Sequence, residues 1–184
     1  MTRIIGGVAG SLKLAAPAKS TRPTSDRVRE SIFNRLEAQD LIDDAKVLDL
    51  YAGTGALGLE SISRGAQAAT LVEGVKAASE VCRKNADAVA KATSVSARVV
   101  SQTVKTFLGA VKPHEFNLVF IDPPYDVTNA ELIQNLEHLI DFLMPGTTVI
   151  VERSSRTAEP EWPKGFSLEL RKDYGDTSVY WLSN

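Results

Sequence analysis

A rigid cluster of hydrogen-bond acceptors follows a strongly apolar run of the chain. Residues 116–121 have the pattern of a buried strand, and Asp122, Pro123, Pro124 and Tyr125 come directly after them. Because the prolines fix the backbone and lack N–H groups, the Asp122 carboxylate and the Pro123 carbonyl remain as outward acceptors. Such a pair suits an exocyclic NH2 group on a planar ring, whose nitrogen lone pair then faces an activated methyl group. Tyr125 offers a ring for stacking the extruded base, the alternative being a tight loop around a buried tyrosine.

A glycine-rich loop follows an earlier apolar run. Gly53, Gly55 and Gly58 come after residues 47–52, and a helical pattern comes next. Glycines let the backbone turn sharply and approach a ligand, while the first turn of the helix offers unpaired N–H groups. Such a loop binds either the pyrophosphate of a dinucleotide or the amino-acid end of S-adenosylmethionine. Glu73 follows Gly53 by 20 residues and can accept hydrogen bonds from both ribose hydroxyls of either ligand.

Asp49 helps to distinguish between these two ligands. It lies inside the same apolar run, four residues before Gly53. Burying a carboxylate there is costly unless hydrogen-bond donors match it. One interpretation is that Asp49 only holds the N–H groups of the loop. The interpretation we favour is that it also faces the cationic amino group of S-adenosylmethionine, because a pyrophosphate site would gain nothing from a carboxylate beneath it.

The composition excludes several classes of protein. The 184 residues are 43% hydrophobic with a net charge of −2, which fits one globular domain and argues against a general nucleic-acid binder. The single cysteine, Cys82, cannot form an internal disulfide and is interpreted as a core residue. Cysteines and histidines lack metal-ligand spacing, so we expect no metal. Apolar runs fall short of the roughly 20 residues of a membrane helix, and we expect a cytoplasmic protein.

Basic residues are concentrated at the N-terminus. Residues 1–35 hold seven basic and two acidic side chains, a net of +5, whereas the remainder of the chain carries −7. This asymmetry indicates a polyanionic partner, the alternative being a solvated terminal segment. The candidates for phosphate contacts in RNA are Arg3, Lys13, Arg22, Arg27 and Arg29. For some of these arginines the alternative is an internal ion pair with Asp26 or Glu30.

The hydrophobic periodicity predicts an α/β fold that positions these motifs. A hairpin is expected over residues 3–15, and a helix that Thr24 or Ser25 caps. Strands are expected at 47–52, 69–73, 97–101, 116–121, 147–152, 166–172 and 178–182, and further helices at 56–64, 75–91, 103–111 and 129–139. The alternation predicts a doubly wound, mainly parallel sheet. A short turn around Gly175 predicts that the last two strands pair antiparallel.

Taken together, these motifs resemble the RsmD-type 16S rRNA guanine-N2 methyltransferases over nearly the whole chain. The matching stretches are residues 3–7 together with Gly10 and Leu12, then 22–34, 49–60, 122–125, 152–153 and 174–177. The glycine loop and the Asp-Pro-Pro-Tyr motif alone indicate only an amino-directed methyltransferase. The stretch Arg-Pro-Thr-Ser-Asp-Arg-Val-Arg-Glu, which begins at Arg22, is the specific part.

The resemblance implies a fold, a reaction and a substrate. The expected fold is the class I (Rossmann-like) S-adenosylmethionine-dependent methyltransferase fold, a seven-stranded, mostly parallel sheet with an antiparallel C-terminal strand and a small N-terminal β-hairpin extension. We divide the chain into the hairpin and basic arm, residues 1–23, which contact rRNA, and the methyltransferase domain, residues 24–184. The expected reaction is methyl transfer to the exocyclic N2 amino group of one guanine in 16S rRNA. The expected substrate is a small-subunit assembly intermediate, and the enzyme is expected to be a monomer that needs neither metal nor membrane.

The resemblance also assigns the site residues. It places the cofactor against Asp49, Tyr51, Gly53, Gly55, Glu73, Gln102 and Asp122, and the target base against Asp122, Pro123, Pro124 and Tyr125. Many such enzymes have an acidic residue that faces the adenine amino group just after the corresponding strand. This chain has Ser101-Gln102-Thr103 there, so we expect the Gln102 side chain or backbone groups to contact the adenine.

Three other functions stay open at the level of sequence. An amino-methyltransferase for DNA adenine N6 or protein glutamine would share the acceptor geometry, and only the N-terminal motif favours rRNA. A nicotinamide-dependent Rossmann oxidoreductase would fit the glycine spacing and Glu73, but Asp49 and the motif at Asp122 argue against it. A non-catalytic rRNA-binding assembly factor would not need the intact glycine and acceptor loops.

Overall fold

A seven-stranded sheet forms the centre of the computed structural model, which describes residues 2–16, 25–110 and 115–184. The strands are β1 (Lys46–Leu50), β2 (Ala68–Val72), β3 (Arg98–Val100), β4 (Phe116–Ile121), β5 (Leu143–Ser154), β6 (Ser167–Tyr174) and β7 (Thr177–Ser183). The helices are α1 (Asp26–Ala38), α2 (Ala56–Ser63), α3 (Lys76–Thr93), α4 (Val104–Leu108) and α5 (Asn129–Leu139), followed by a 3-10 turn, Ile140–Phe142.

The strand order brings the two sequence motifs together. It is β3-β2-β1-β4-β5-β7-β6, with β1 to β5 parallel and β7 antiparallel to both of its neighbours. The predicted, mainly parallel sheet with an antiparallel C-terminal strand is confirmed. In the central pair of strands, Leu50 lies opposite Ile121. The loops that follow these two residues, the glycine loop and the Asp-Pro-Pro-Tyr loop, therefore leave the same edge of the sheet side by side.

Helices cover the central strands on both faces. One core cluster joins the sheet to α1, α2 and α3, and it includes Phe33, Leu59 and Cys82. A second cluster joins the opposite face to α4 and α5, and it includes Leu108 and Leu136. Because both faces are buried, the central strands are almost continuously apolar. The prediction that Cys82 is a core residue is confirmed, since its side chain is fully buried.

The N-terminal hairpin packs onto α2 through a buried carboxylate. Arg3 and Lys13 form an antiparallel bridge, which confirms the predicted pairing. Glu60, fully buried, accepts the backbone N–H groups of Ile5 at 2.6 Å and Gly6 at 2.8 Å and the Nε of Arg64 at 2.7 Å. The hairpin is thus fixed to the helix that begins at the glycine loop. The division of the chain between residues 23 and 24 stays a prediction, because 17–24 lie outside the described residues.

The helix after the basic arm begins as predicted. Ser25 caps α1, and its Oγ accepts the N–H of Val28 at 3.2 Å. The other candidate cap, Thr24, lies outside the described residues. Within the three ranges given above, no helix combines the length and the apolarity that crossing a bilayer requires.

Candidate active site

The glycine loop adopts a conformation that its glycines make possible. Gly53 has φ +56° and Gly55 has φ +82°, both in the left-handed region that favours glycine. Gly58 serves a different purpose, because a Cβ there would lie 2.2 Å from Cδ2 of Leu71. The absence of a side chain at Gly58 therefore lets α2 pack closely on β2. This packing places the first turn of α2 at the edge of the sheet, directly after the loop.

Glu73 holds this loop in place. It follows the last residue of β2, and its carboxylate is buried. Oε2 accepts the N–H of Gly53 at 2.8 Å, and Oε1 accepts the N–H of Val75 at 2.7 Å. An ionised carboxylate has about four acceptor positions, so two remain for ribose hydroxyls. The structure thus adds a loop-positioning role to the cofactor role predicted for Glu73, which stays a prediction.

Asp49 lies beneath the loop with its side chain buried. Its Oδ2 accepts the N–H of Gly58 at 2.9 Å. Burial raises the pKa of Asp49 to about 7, the hydrogen bond from Gly58 opposes this, and the charges of Asp122 and Glu73 raise it further. The three carboxylates therefore lie close enough to interact. A cationic ligand would relieve the repulsion between these groups and favour the ionised form of Asp49, whereas a pyrophosphate would add to the repulsion.

Tyr51 is positioned by a residue that the sequence motifs did not include. It has φ +62°, and its hydroxyl oxygen accepts a hydrogen bond from Nδ2 of Asn135 at 2.8 Å. Burial raises the pKa of Tyr51 to about 12, so the phenol stays neutral. Asn135 is buried between Leu132 and Leu136 on the apolar face of α5. In the sequence, the sign of this positioning role is a polar residue on an otherwise apolar helix face.

The acceptor loop is exposed at its tip, and the residues that follow it are held in place by hydrogen bonds. Pro123 is buried, whereas the side chain of Tyr125 is 74% exposed, so the tyrosine is not a core residue. The buried Arg153 at the end of β5 donates from Nη2 to the carbonyl of Val127 at 2.8 Å and to Oδ1 of Asn129 at 3.1 Å. These bonds hold the chain just beyond the loop and leave the tyrosine ring facing solvent.

Gln102 lies beside the residues that hold the glycine loop. It is exposed, and its carbonyl oxygen lies 3.6 Å from the position that a Cβ on Gly74 would take. The neighbouring Thr103 caps α4 by accepting the N–H of Thr106 at 3.1 Å. The segment after β3 therefore borders the residue that follows Glu73, where an adenine would extend from the ribose. The contact between Gln102 and the adenine stays a prediction.

The basic residues divide into surface and interior groups. Arg3, Lys13 and Arg27 are exposed, but the side chain of Arg29 is only 1% exposed. Arg29 donates from Nη2 to the carbonyl of Arg3 and to Oδ1 of Asp26, both at 2.8 Å. The prediction that Arg29 contacts RNA is therefore wrong for this structure, because the side chain is enclosed by the hairpin and α1. Arg22 lies outside the described residues.

Asn85 connects the N-terminal segment to the glycine loop. Its Nδ2 donates to the carbonyls of Thr54 at 2.9 Å and Ala15 at 3.0 Å, and its Oδ1 accepts the N–H of Ala15 at 2.8 Å. The side chain is 3% exposed. The sequence motifs did not include it, although it lies on the same helix face as Cys82 and Val89.

Known proteins are similar to this chain in both sequence and fold. The chain is 40% identical over 177 residues to the Ribosomal RNA small subunit methyltransferase D of Escherichia coli K12, a match that covers 96% of this chain and 86% of that protein. Among solved structures, the Escherichia coli protein yhhF superimposes with a TM-score of 0.85 and 35% identity, over 100% of this chain and 97% of that one.

A more distant structure supports the fold alone. An RNA methyltransferase from Salinibacter ruber, solved in complex with S-adenosyl-L-homocysteine, has a TM-score of 0.61 and 22% identity, over 88% of this chain and 93% of that one. The class I methyltransferase fold implied by the sequence is thus confirmed, and so is the resemblance to the RsmD-type family. The family model described as Conserved hypothetical protein 95 matches residues 2–183, and the chain belongs to that family.

Proposed function

We propose that this protein transfers a methyl group from S-adenosylmethionine to the exocyclic N2 amino group of a guanine in 16S rRNA. The observation that carries the proposal is the adjacency of two loops. Leu50 lies opposite Ile121, so the glycine loop and the acceptor loop emerge together. The relative named Ribosomal RNA small subunit methyltransferase D supports the substrate, and the neighbour solved with S-adenosyl-L-homocysteine supports the cofactor.

The residues around the glycine loop fit S-adenosylmethionine. The buried carboxylate of Asp49 faces the loop from below and suits the cationic amino group of the methionine moiety. Glu73 suits the ribose hydroxyls, and the exposed Gln102 suits the adenine end. When bound, the cofactor supplies a methyl group that its sulfonium already activates, so little acid–base catalysis is needed. The chain's own task is to place the acceptor nitrogen.

Asp122 and Pro123 perform that task. The Asp122 carboxylate and the Pro123 carbonyl each accept one N–H of the guanine amino group, which directs the nitrogen lone pair toward the methyl carbon. As the N–C bond forms and the C–S bond breaks, the nitrogen carries one proton too many. The Asp122 carboxylate is the adjacent base that takes it. The exposed ring of Tyr125 stacks on the guanine.

The exposed basic residues of the N-terminus hold the RNA. Arg3 and Lys13 lie opposite each other in the hairpin, and Arg27 lies on the first turn of α1. Their contacts with phosphates position an rRNA strand without reading its sequence. The substrate we favour is a partly assembled small subunit, on which the enzyme acts as a monomer. An amino-methyltransferase for protein would not need this basic surface, whereas one for DNA would, so the N-terminal sequence motif is what favours rRNA over DNA.

Nucleoside mass spectrometry of rRNA tests the proposal. In cells that lack the protein, 2-methylguanosine in 16S rRNA should decrease by one residue per molecule. The wild-type gene should restore it, and Asp122→Ala should not. Asp141→Ala, which changes an exposed carboxylate in the 3-10 turn, serves as the control and should restore it. Unchanged 2-methylguanosine in the deletion strain would contradict the proposal, and loss of N6-methyladenine from DNA would favour the nearest alternative.

A further inference from the structure

A cleft opens beside the acceptor loop, on the side away from the glycine loop. Its volume is about 390 Å³, and it is lined by Tyr125, Ser154, Arg156, Thr157 and Asp176. In the sheet, β1 lies on one side of β4 and β5 on the other. Ser154 ends β5 and pairs with Thr177, the first residue of β7. The acceptor loop therefore separates the glycine loop from this cleft.

Hydrogen bonds of the backbone and of two serine side chains fix one wall of the cleft. The segment after β5 is tied to the turn between β6 and β7. The N–H of Ser155 donates to the carbonyl of Asp176 at 2.9 Å, and the Oγ of Ser155 donates to the carbonyl of Gly175 at 2.9 Å. The N–H of Arg156 donates to Oγ of Ser154 at 3.3 Å. The two segments that carry Arg156 and Asp176 are thus held together by hydrogen bonds.

The charged ends of these two residues lie side by side and face solvent. Nη2 of Arg156 is 3.4 Å from Oδ1 of Asp176, and the side chains are 83% and 59% exposed. An ion pair this exposed contributes little to stability. A ligand can therefore break this ion pair at a small cost in free energy. The two side chains then offer the ligand a hydrogen-bond donor and an acceptor next to each other.

This donor–acceptor pair matches one edge of guanine. Next to its 2-amino group, guanine carries the N1–H donor and then the O6 acceptor, whereas adenine carries the N1 acceptor and then the 6-amino donor. We propose that Asp176 accepts the N1–H of the target guanine and that Arg156 donates to its O6. The inference rests on the proposed function, in which Asp122 and Pro123 hold the 2-amino group and Tyr125 stacks on the ring. Arg156 and Asp176 then determine that guanine, and not adenine, enters the site.

Binding of free nucleotides tests this assignment directly. Guanosine, inosine and adenosine 5′-monophosphates are titrated into the protein with S-adenosyl-L-homocysteine present, and binding is followed by NMR. Guanine and hypoxanthine share N1–H and O6, and only guanine has the 2-amino group. The wild type should bind the inosine nucleotide about tenfold more tightly than the adenosine nucleotide, as expected for one bidentate contact. It should bind the guanosine nucleotide more tightly still, because of the 2-amino group. Asp176→Ala and Arg156→Ala should each reduce the preference for inosine over adenosine to about twofold or less.

A second exposed pair provides the matched control. Arg171 and Asp173 on β6 lie 3.1 Å apart, outside the residues that line the cleft. Arg171→Ala and Asp173→Ala should keep the wild-type preference. Equal or undetectable binding of the three nucleotides by the wild type, or a preference that survives Asp176→Ala, would overturn the inference.

The two proposals fail separately. Asp122→Ala should weaken binding of the guanosine nucleotide toward that of inosine monophosphate and leave the preference for inosine over adenosine intact. If this preference is present but 2-methylguanosine is unchanged in the deletion strain, the proposed function fails and the guanine recognition stands. If 2-methylguanosine is lost but the nucleotides bind alike, only the roles of Arg156 and Asp176 are wrong.

Discussion

The buried side chain of Asn85 donates a hydrogen bond to the carbonyl of Thr54 at 2.9 Å, between the two left-handed glycines of the glycine loop. The same amide exchanges two hydrogen bonds with the backbone of Ala15. The segment that leads from the N-terminal hairpin into the basic arm therefore shares one side chain with the loop proposed to hold S-adenosylmethionine. The proposed RNA site and the proposed cofactor site are thus linked through α3.

Replacing Asn85 should weaken cofactor binding. Asn85→Ala leaves three backbone groups without their partner, and each unsatisfied buried group costs about 1–3 kcal/mol. We expect the dissociation constant for S-adenosylmethionine, measured by isothermal titration calorimetry, to rise about tenfold, with a lower free energy of unfolding. Lys84→Ala alters the exposed neighbour and should change neither quantity. A cofactor affinity within twofold of the wild type would show that Thr54 does not need this bond.

Glu73 should matter to the loop even before the cofactor binds. Its carboxylate accepts the N–H groups of Gly53 and Val75, so Glu73→Ala removes both bonds and frees the loop. We expect a loss of about 2 kcal/mol in the free energy of unfolding without ligand. Amide hydrogen exchange at Gly53 should accelerate, and cofactor affinity should fall at least tenfold. The control is Glu80→Ala on the exposed face of α3. Unchanged exchange at Gly53 would contradict the positioning role.

Asp49 should make both stability and cofactor binding depend on pH. Its pKa is raised from 3.8 to about 7 in the folded protein, chiefly by burial. The folded state therefore holds a proton that the unfolded chain releases. The resulting stability is fully present below pH 3.8 and is lost as the pH rises through about 7. Asp49→Asn should flatten this slope in urea denaturation measured from pH 5 to pH 8.

Ionisation of Asp49 should make cofactor binding depend on pH in the opposite direction. A cationic amino group favours the ionised carboxylate, so the affinity of the wild type for S-adenosylmethionine should increase about tenfold between pH 6 and pH 8. Asn at this position can still accept the N–H of Gly58, so its loop should stay intact. The affinity of the Asp49→Asn protein for S-adenosylmethionine should be low and nearly constant over the same pH range. An equal pH dependence in both proteins would mean that Asp49 does not face the ligand.

Local patterns sufficed for the elements that carry the chemistry. The predicted spans of β4, Phe116–Ile121, and α5, Asn129–Leu139, coincide with the structure. An apolar run that stops at an Asp-Pro pair defines the first, and the side chain of Thr128, which accepts the N–H of Glu131, defines the start of the second. By contrast, β5 begins at Leu143, four residues before its predicted start. Pro145 and Gly146 favour a turn locally, but Leu143 as well as Thr148 pairs with β4, with a register shift between them, so the strand begins earlier.

Contacts between distant parts of the chain explain what the sequence could not predict in the site. The polar residues Asn85 and Asn135 serve partners 31 and 84 positions away. Arg29 was assigned to the surface because its charge suggests exposure. In the structure it is enclosed because the carbonyl of Arg3, in the hairpin, accepts its guanidinium. Residue type and spacing identify such a side chain as polar but do not identify its partner.

Arg27 and Arg29 lie two positions apart on α1 and should behave differently when replaced. Arg27 is exposed, so Arg27→Ala should leave the free energy of unfolding within about 0.5 kcal/mol of the wild type. It should weaken binding to small-subunit rRNA and reduce the slope of log K against log salt by about one. Arg29→Ala removes the buried partner of Asp26 and of the Arg3 carbonyl, so it should lower the free energy of unfolding by about 3 kcal/mol.

The salt dependence of RNA binding separates these two roles. Below its denaturation midpoint, the folded Arg29→Ala protein should keep the wild-type salt slope, because a side chain that is 1% exposed releases no counterion from RNA. Arg35→Ala, an exposed arginine in the last turn of the same helix, controls for the general loss of a positive charge. If Arg29→Ala lowered the salt slope and left stability unchanged, its side chain would have to reach the RNA, and the buried arrangement with Asp26 would be wrong.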